Sequence, residues 1–524
     1  MKIVFRVDAS TRMGTGHLMR CLTLAEALRE RGAQTHFICR EQTGHLIPLL
    51  QQKAIPITVL PAPKTGDTPP GEDYAAWLGV TQAEDAGQTI EALKGEKPDW
   101  LVVDHYGLDR DWERRLRPYA GKQMVIDDLA NRPHECDLLL DQNYSAEGER
   151  RYAERAPGHC KRLVGPRYAL LRPEYAAYRQ TLLPYDREVR RVLAFFGGTD
   201  PDNMTGLTLT ALSNPELRHL TVDLVVGANY PHGEALQRQA AKRPDTTLHR
   251  SRPSLADLMA QADLALGAGG ATTWERMCLG LPTLVVTIAD NQRPAAEALA
   301  AAQLIHYVGH SSEVSAESLS KAIIGWVSKP SRLTEMSLQN QLLVDGLGAS
   351  RIREVMLPTD TAHTRLRAAC EEDVVSYFNW ANDPEVRKSA IHTETIPWVT
   401  HQEWFTKKLN DSDSHLYVFD AAGLPVGQIR FDKEGTEARI DYSLDTLVRG
   451  RGWGSRLVSL GSKLFEKIEP VRLRAEVKTD NETSRSVFLS LGFTMTEGKN
   501  NDLVFYRGPE AAPSHFNNDS SLRA

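Results

Sequence analysis

Two doubly wound α/β halves in series, followed by a smaller α+β domain, form the architecture this sequence predicts. Three observations predict it. Short β-branched runs alternate with amphipathic stretches through roughly the first 350 residues, the mark of parallel layers. Glycine-rich turns follow several of those runs and lead directly into helices. Beyond residue 362 the pattern changes to closely spaced strands separated by turns such as Ala-Ala-Gly (421–423) and Lys-Glu-Gly (433–435).

In the first half the expected strands are Ile3–Val7, Thr35–Cys39, Ile57–Leu60, Trp100–Val103, Met124–Ile126 and Leu138–Leu140. A helix from Gly16 to Arg31 should stop at Gly32. The second half opens with Arg191–Phe196 and continues through Thr221–Val226, Thr247–His249, Leu264–Leu266 and Thr283–Thr287. Helices Ser254–Ala262 and Thr272–Leu279 fall between these strands. The third block holds strands Leu416–Asp420, Val426–Phe431, Ala438–Leu444, Val471–Val477 and Leu503–Arg507. The resulting division is 1–185 and 186–356 for the two halves, a linker at 357–362, a domain at 363–508 and a disordered tail at 509–524, rich in Pro, Ser, Asn and Asp.

Composition narrows the function classes. Of 524 residues 41% are apolar and 25% charged, enough to build cores. The net charge of −6 argues against a nucleic-acid partner, which would need a basic face. Six cysteines are scattered without a C-x-x-C pair, as suits a reducing compartment. No apolar run reaches the roughly 20 residues of a membrane span, and the N-terminus reads as a strand. A cytoplasmic protein with no membrane partner is expected; the oligomeric state is not legible.

The sharpest local signal is Asp8-Ala-Ser-Thr-Arg-Met-Gly14-Thr-Gly16-His17, running from a strand into a helix. Its two glycines let the backbone approach a ligand, and the free amides of a helix N-terminus attract anions. His17, at the carboxyl edge of the sheet, can serve as a general base near neutral pH or simply as a capping or water-bonded histidine. A second turn, Gly267-Ala-Gly269-Gly270-Ala-Thr272-Thr-Trp-Glu275, repeats the arrangement in the other half. Its amides suit a diphosphate. Glu275 can accept from ribose hydroxyls, or else close a capping box with Thr272. A third turn carries Gly197 and Gly198 in Phe-Gly-Gly-Thr199-Asp200. The acidic pair Asp127–Asp128 reads as a strand-end turn, and no metal is expected.

These motifs, with Leu-Pro-Thr-Leu-Val-Val and Asn291-Gln292 after them, resemble the UDP-sugar hydrolase of pseudaminic acid biosynthesis, over roughly residues 1–345. The resemblance implies the B-type glycosyltransferase (GT-B) fold. It also implies hydrolysis of UDP-2,4-diacetamido-2,4,6-trideoxy-β-L-altropyranose to UDP and free sugar. His17 would activate water, Glu275 and Asn291 or Gln292 would lie on nucleotide or sugar, and Arg172 in Tyr-Ala-Leu-Leu-Arg172-Pro-Glu would reach a phosphate. The alternative is a glycosyltransferase that moves a UDP-linked sugar to an acceptor.

In the third block Arg449-Gly450-Arg451-Gly452-Trp453-Gly454 follows a strand and opens a helix. Such a turn can cradle the pyrophosphate of acetyl-CoA. Asn481-x-x-Ser484 and Phe488-x-x-x-Gly492-Phe493 follow in the order expected of a GNAT-type acetyltransferase. Together with the opening stretch Leu366–Arg387, they resemble the amino-sugar acetyltransferases of the same pathway, over about residues 363–508. That resemblance implies acetylation of the 4-amine of UDP-4-amino-4,6-dideoxy-N-acetyl-β-L-altrosamine, with acetyl-CoA as cosubstrate. The strands Ala438–Leu444 and Val471–Val477 are expected to splay. Glu437 and Asp441 share one face of the first, where either can relay the amine proton or merely line a solvated edge. Many relatives carry Tyr at the position of Phe488 to protonate the leaving thiolate, so that role needs another group here, such as water or Tyr506. An acetyl-CoA sensor or structural appendage is the competing reading of this domain.

Overall fold

The computed structural model describes residues 1–63, 74–186, 188–390, 392–498 and 502–508. The tail expected to be disordered lies outside the described residues. The chain divides into two compact units, Met1–Leu357 and Pro358–Ala524.

The first unit holds two parallel sheets. Strands β1 (Lys2–Val7), β2 (Gln34–Arg40), β3 (Ile57–Leu60), β4 (Trp100–Asp104), β5 (Lys122–Ile126), β6 (Leu138–Asp141) and β7 (Lys161–Val164) form one, in the order β3-β2-β1-β4-β5-β6-β7. The second contains β8 (Arg191–Phe195), β9 (Thr221–Val226), β10 (Thr246–Arg250), β11 (Leu264–Gly267), β12 (Thr283–Thr287) and β13 (His306–His310), in the order β10-β9-β8-β11-β12-β13. Central strands such as Ile3-Val4-Phe5 are buried throughout because helices cover both faces, which is why they read as unbroken apolar runs. In both sheets the strand order reverses beside the first strand, between β1 and β4 and between β8 and β11. Ligands of open α/β sheets bind outside the carboxyl ends of strands at such points. The turns carrying His17 and the paired glycines all emerge there.

The helix Gly16–Arg29 ends two residues before its expected stop, with Gly32 beyond it in the left-handed region at φ +80°. Beneath β1 and β2 lies an ionic lattice with no exposed side chain. Arg6 donates to Asp8 (2.6 and 3.0 Å) and to Asp85 (3.1 and 2.5 Å), while Arg40 donates to Asp85 (2.7 Å). Trp112 adds an indole N–H to Asp85 at 3.0 Å. This lattice pins the start of the Asp8–His17 turn, since Asp8 also accepts from the Arg40 amide at 2.7 Å.

After the second sheet the chain returns to the first half. The helix Gly348–Met356 packs on the helix Gly16–Arg29. Arg351 donates to the Arg167 carbonyl at 2.8 Å, and the Trp100 indole donates to the Met356 carbonyl at 3.3 Å.

The second unit is a mixed sheet in the order β14-β15-β16-β17-β18-β20-β19. Its strands are β14 (Thr364–Ala368), β15 (Ser414–Ala421), β16 (Leu424–Glu434), β17 (Glu437–Leu444), β18 (Arg472–Lys478), β19 (Thr494–Glu497) and β20 (Asp502–Arg507). Only β17 and β18 run parallel; the other neighbours are antiparallel. Phe431 stacks on Phe465 of the helix Trp453–Phe465, ring centroids 4.5 Å apart, in a buried aromatic core. Among the described residues no helix is long and apolar enough to cross a membrane.

Candidate active sites

In the first unit the turn after β1 folds back on itself. The Gly14 amide donates to the Ser10 carbonyl at 2.8 Å and the Met13 amide to the Ser10 hydroxyl at 3.0 Å. The helix then starts at Gly16 without a side-chain cap, so His17 sits in its first turn, buried. Its Nδ1 lies 2.6 Å from Oδ1 of Asp104 at the end of β4, across the reversal point. Arg20, one turn along, forks onto Asp104 with Nε (2.6 Å) and Nη2 (2.7 Å), and its Nη1 reaches both oxygens of Asp128 at 2.9 and 2.7 Å. The Tyr106 hydroxyl donates to Asp128 at 2.8 Å, and its ring stands edge-on to the imidazole with centroids 4.5 Å apart. Burial works to raise the Asp104 pKa, but Arg20 and His17 outweigh it and hold the carboxyl below the usual range. An ionised carboxylate facing Nδ1 requires the ring proton there. The lone pair then falls on Nε2, which no group among the described residues hydrogen-bonds.

Asp104, Arg20 and Tyr106 escaped the reading of the sequence. Asp104 follows four apolar residues, Trp-Leu-Val-Val, and an acid at a strand end beside the reversal point was the available signal.

In the second half, Gly197 adopts φ +101°. Asp200 already serves the amides of Met204 (2.9 Å) and Thr205 (2.8 Å), so the helix Met204–Leu212 does not offer these to a ligand. The turn after β11 differs. Thr272 is the first helical residue and the preceding Ala271 makes no side-chain cap, so the capping box is not formed. Glu275 instead lies beside the Tyr175 hydroxyl and Arg172, and burial raises its pKa against their opposing pull. Arg172 is largely committed, to the Pro253 carbonyl (2.7 Å) and Glu174 (3.0 Å). Gln292 packs against Gly269 and accepts from the Ile288 amide at 3.1 Å, bracing the turn, with half-exposed Asn291 next to it.

One group here was not foreseen. Arg276 is buried (2% exposed) beneath the glycine turn, donating to the Ala268 carbonyl at 2.7 Å and the Thr273 hydroxyl at 3.0 Å. Gly267 must lack a side chain, because a Cβ there would stand 2.0 Å from the Arg276 guanidinium and 2.7 Å from the Phe195 carbonyl. The cation is thus wedged between the carboxyl ends of β8 and β11, below both glycine turns. Burial lowers its pKa to about 10, with Glu275 opposing. No carboxylate among the described residues hydrogen-bonds it, and its charge meets the neutral acceptors of Ala268 and Thr273 with Glu275 nearby.

In the second unit β17 and β18 pair over only three positions, Glu437 with Arg472, Ala438 with Leu473 and Arg439 with Arg474. Beyond Arg439 the strands part, leaving backbone groups of β17 free of β18. Asp441 lies past that point, exposed, and accepts from the Gln428 amide at 2.8 Å. Glu437 lies at the paired end, 3.9 Å from Arg472 and 3.6 Å from Arg474. The two carboxylates share one face of β17 but stand at its two ends, Glu437 where the strands pair and Asp441 past the splay.

The Arg449–Gly454 turn precedes an N-terminus that has no side-chain cap. Arg449 is occupied from behind, donating to the Leu444 carbonyl (3.0 Å) and Asp383 (2.8 Å). Trp453 is buried edge-on to Phe419, with Arg451 over its ring at 5.4 Å. Gly450 and Gly452 adopt φ +78° and +73°, the left-handed region. Gly452→Val is accordingly expected to disturb the turn through backbone strain of about 1–3 kcal/mol and to weaken acetyl-CoA binding about tenfold, measured by calorimetry. Unchanged affinity would show that the turn does not hold the cofactor.

Asn481 spends its side chain on the Ser484 amide (3.0 Å), capping the helix Glu482–Ser490. The Ser484 hydroxyl in turn meets the Tyr442 hydroxyl at 3.0 Å. Phe488 is buried between Phe505 (5.4 Å), Phe493 (5.1 Å) and the edge of Tyr442 (5.8 Å). Tyr506 carries the Arg472 guanidinium 4.0 Å over its ring. Tyr442, on the splayed part of β17, was not anticipated. Burial raises its pKa, with Ser484 opposing.

Among the described residues no three or more His, Cys, Asp or Glu side chains are grouped to hold a metal. Asp127 is spent on the amides of Leu129 and Ala130 and on Arg132.

The comparisons with known proteins follow the same division. Residues 363–494 match the acetyltransferase (GNAT) domain, and residues 192–352 the glycosyltransferase family 28 C-terminal domain. An uncharacterized protein of Methanocaldococcus jannaschii, MJ1062, is 21% identical over 523 residues, covering 96% of this chain and 99% of its own length. The UDP-2,4-diacetamido-2,4,6-trideoxy-β-L-altropyranose hydrolase of Campylobacter jejuni is 25% identical over 300 residues, 57% of this chain and 96% of that one. The crystal structure of Acinetobacter baumannii MurG superposes on 68% of this chain and 99% of its own, at 16% identity and a TM-score of 0.50, which is a likeness of fold. Sheet orders, motifs and matches agree that this chain is an enzyme joining a GT-B glycosyltransferase-like unit to a GNAT acetyltransferase domain.

Proposed function

We propose that the first unit hydrolyses a UDP-linked diacetamido sugar and that the second makes its substrate by acetylating the 4-amine of the precursor with acetyl-CoA. The observation that carries the hydrolytic reading is the imidazole of His17, oriented by Asp104 at the reversal point of the first sheet. The similarity to the Campylobacter hydrolase supports the choice of UDP-2,4-diacetamido-2,4,6-trideoxy-β-L-altropyranose. Water attacks the anomeric carbon, its proton passes to Nε2 of His17, and the bond from that carbon to the diphosphate oxygen breaks. UDP leaves against the Gly269–Gly270 turn, with Arg276 beneath, while Glu275 and Asn291 or Gln292 hold nucleotide or sugar. Placing water and base near the reacting carbon, and neutralising the departing diphosphate, are the main demands of this reaction.

In the second unit the amine nitrogen attacks the thioester carbon and the carbon–sulfur bond breaks. Free amides of β17 beyond Arg439 polarise the carbonyl, and the turn through Gly450, Gly452 and Gly454 takes the pyrophosphate of acetyl-CoA. Asp441, past the splay and exposed, is the better placed carboxylate to take the amine proton. Tyr442, bridging from β17 to Ser484, supplies the hydroxyl that returns a proton to the thiolate, and Phe488 packs beside it. Tyr442→Phe should then lower acetyl transfer about a hundredfold, whereas Phe488→Leu should lower it less than about tenfold through a packing defect. Rates of CoA release by both variants check this; the reverse ranking would transfer the role to the ring of Phe488.

The deciding experiment gives the intact chain acetyl-CoA and the 4-amino UDP-sugar and follows the mixture by NMR. Acetylation followed by UDP release without any added acceptor is expected. Release of UDP only when an acceptor sugar is supplied would favour a glycosyltransferase.

A further inference from the structure

We infer that Cys136 and Cys160 form a redox modification site, which a small-molecule disulfide oxidises to an intrachain disulfide that staples the segment between them. Both are free thiols buried in the core of the first half, and their sulfurs lie 3.6 Å apart. The fold brings them together across 24 positions of sequence. Cys136 stands two residues before β6 and Cys160 immediately before β7, neighbouring parallel strands whose first pair is Leu138 with Lys161. The Lys161 amide donates to the Asp137 carbonyl at 3.0 Å and the His134 amide to the Arg155 carbonyl at 2.7 Å, so backbone bonds hold the two ends of the segment together. Adjacent strands lie about 4.8 Å apart, within the Cα separation of about 4.4–6.8 Å that a disulfide spans. Closing the bond needs the sulfurs to approach by about 1.5 Å, to a length of about 2.05 Å. The site is independent of the hydrolytic reading.

The two thiols are not equivalent. Cys160 is 7% exposed and follows the exposed turn Gly158–His159, whereas Cys136 is sealed. The Cys136 S–H donates to the Cys160 sulfur and lowers the Cys160 pKa, with Arg162 and His134 adding to that pull against burial and Asp137. The same contact raises the Cys136 pKa, and burial adds to it. Cys160 is therefore the attacking thiolate. It bonds one sulfur of the oxidant and expels the other as a thiolate. The Cys136 sulfur, its proton passing to that thiolate, then attacks the Cys160 sulfur and expels the second thiolate. Two protein thiols are oxidised and one small disulfide is reduced to two thiols, so the electrons balance. The closed loop carries Arg151 and Tyr152. Arg151 donates to Asp141 (2.7 Å) and to the Asp128 and Leu129 carbonyls (3.3 Å each), and the Tyr152 hydroxyl donates to the Asp127 carbonyl at 3.0 Å. The staple thus fastens the segment that underpins the Asp127–Leu129 turn, from which Asp128 holds Arg20 and Tyr106.

The test uses the full chain, with oxidised glutathione as the probe. After equilibration, blocking of the remaining thiols and proteolysis without reductant, mass spectrometry should find two peptides joined through Cys136 and Cys160, and dithiothreitol should part them. Oxidation should raise the unfolding temperature of the first unit by about 5 °C, because the bond removes freedom from the unfolded chain. In Cys136→Ser the glutathione should stay on Cys160 as a mixed disulfide, with no rise in unfolding temperature. Should this variant fail to fold, the peptide map of the wild type decides. Thiols still free at both positions in the oxidant-treated wild type, or glutathione held on Cys160 without the cross-link, would overturn the inference. A cross-linked chain that unfolds at or below the temperature of the reduced one would overturn it too, since the bond would then strain the fold and not staple it.

Discussion

His17→Gln is expected to slow UDP release by about a hundred- to ten-thousand-fold while acetyl transfer proceeds at the wild-type rate. Glutamine keeps a polar group of similar reach but cannot accept a proton at neutral pH, so the attacking water loses its base. Asp104 and Arg20 remain paired with each other, which keeps the pocket from being left with an uncompensated charge. The second activity is insulated because the Arg449–Gly454 turn and the splayed strands belong to a separate unit of the chain. Coupled assays of UDP and CoA on one preparation make the comparison direct. Loss of both activities in a folded variant would refute two independent sites.

Asp85→Ala is expected to destabilise the first unit by about 3–5 kcal/mol, because it leaves the buried Arg40 guanidinium without its carboxylate and takes one of two from Arg6. Asp85 accepts from Arg6, Arg40 and Trp112 with no exposure to solvent. Burial alone would raise its pKa, but the two arginines outweigh this and hold it well below the usual carboxylate range. A carboxyl depressed in the folded state contributes its stability above its unfolded pKa of about 3.9 and loses it as pH falls below that value. Stability of the wild type should therefore decline on acidification from about pH 5 to about pH 3 more steeply than that of the variant. Scanning calorimetry of the intact chain, following the transition of the first unit, measures both effects. Parallel acid profiles for wild type and variant would show that Asp85 does not carry the lattice.

What the sequence made legible follows the strength of its local signals. The central strands were readable because burial on both faces demands runs such as Ile3-Val4-Phe5, and their observed limits differ from expectation by a residue or two. Of the six edge strands among the described residues, Ile57–Leu60 and Thr246–Arg250 were found and four were missed: Lys161–Val164, His306–His310 and Thr364–Ala368 mix polar and small residues because an edge is packed on fewer sides, and Thr494–Glu497 is exposed throughout. Turns were found because glycine is needed there. The partners of the site were not, since Asp104 lies 87 residues from His17 and nothing local marks the pairing. Arg449 and Asn481 show how a motif residue can also serve the fold. Both sit in motifs that suggested a ligand, and their side chains bond Asp383 and the Ser484 amide.

The return of Gly348–Met356 to the first half also bears on how the protein is made and how it moves. A ribosome must reach Met356 before the helix Gly16–Arg29 has its last neighbour, so the half that is synthesised first is completed last. Residues 1–185 expressed alone would display an uncovered apolar strip, and a faithful dissection has to cut after Leu357. Two chain crossings also tether the halves, one leaving Tyr168 toward Pro173, whose helix Pro173–Thr181 packs on the second half, and one leaving Leu343 toward Gly348. The halves are thereby joined at two points rather than one, which restricts how far they can turn against each other.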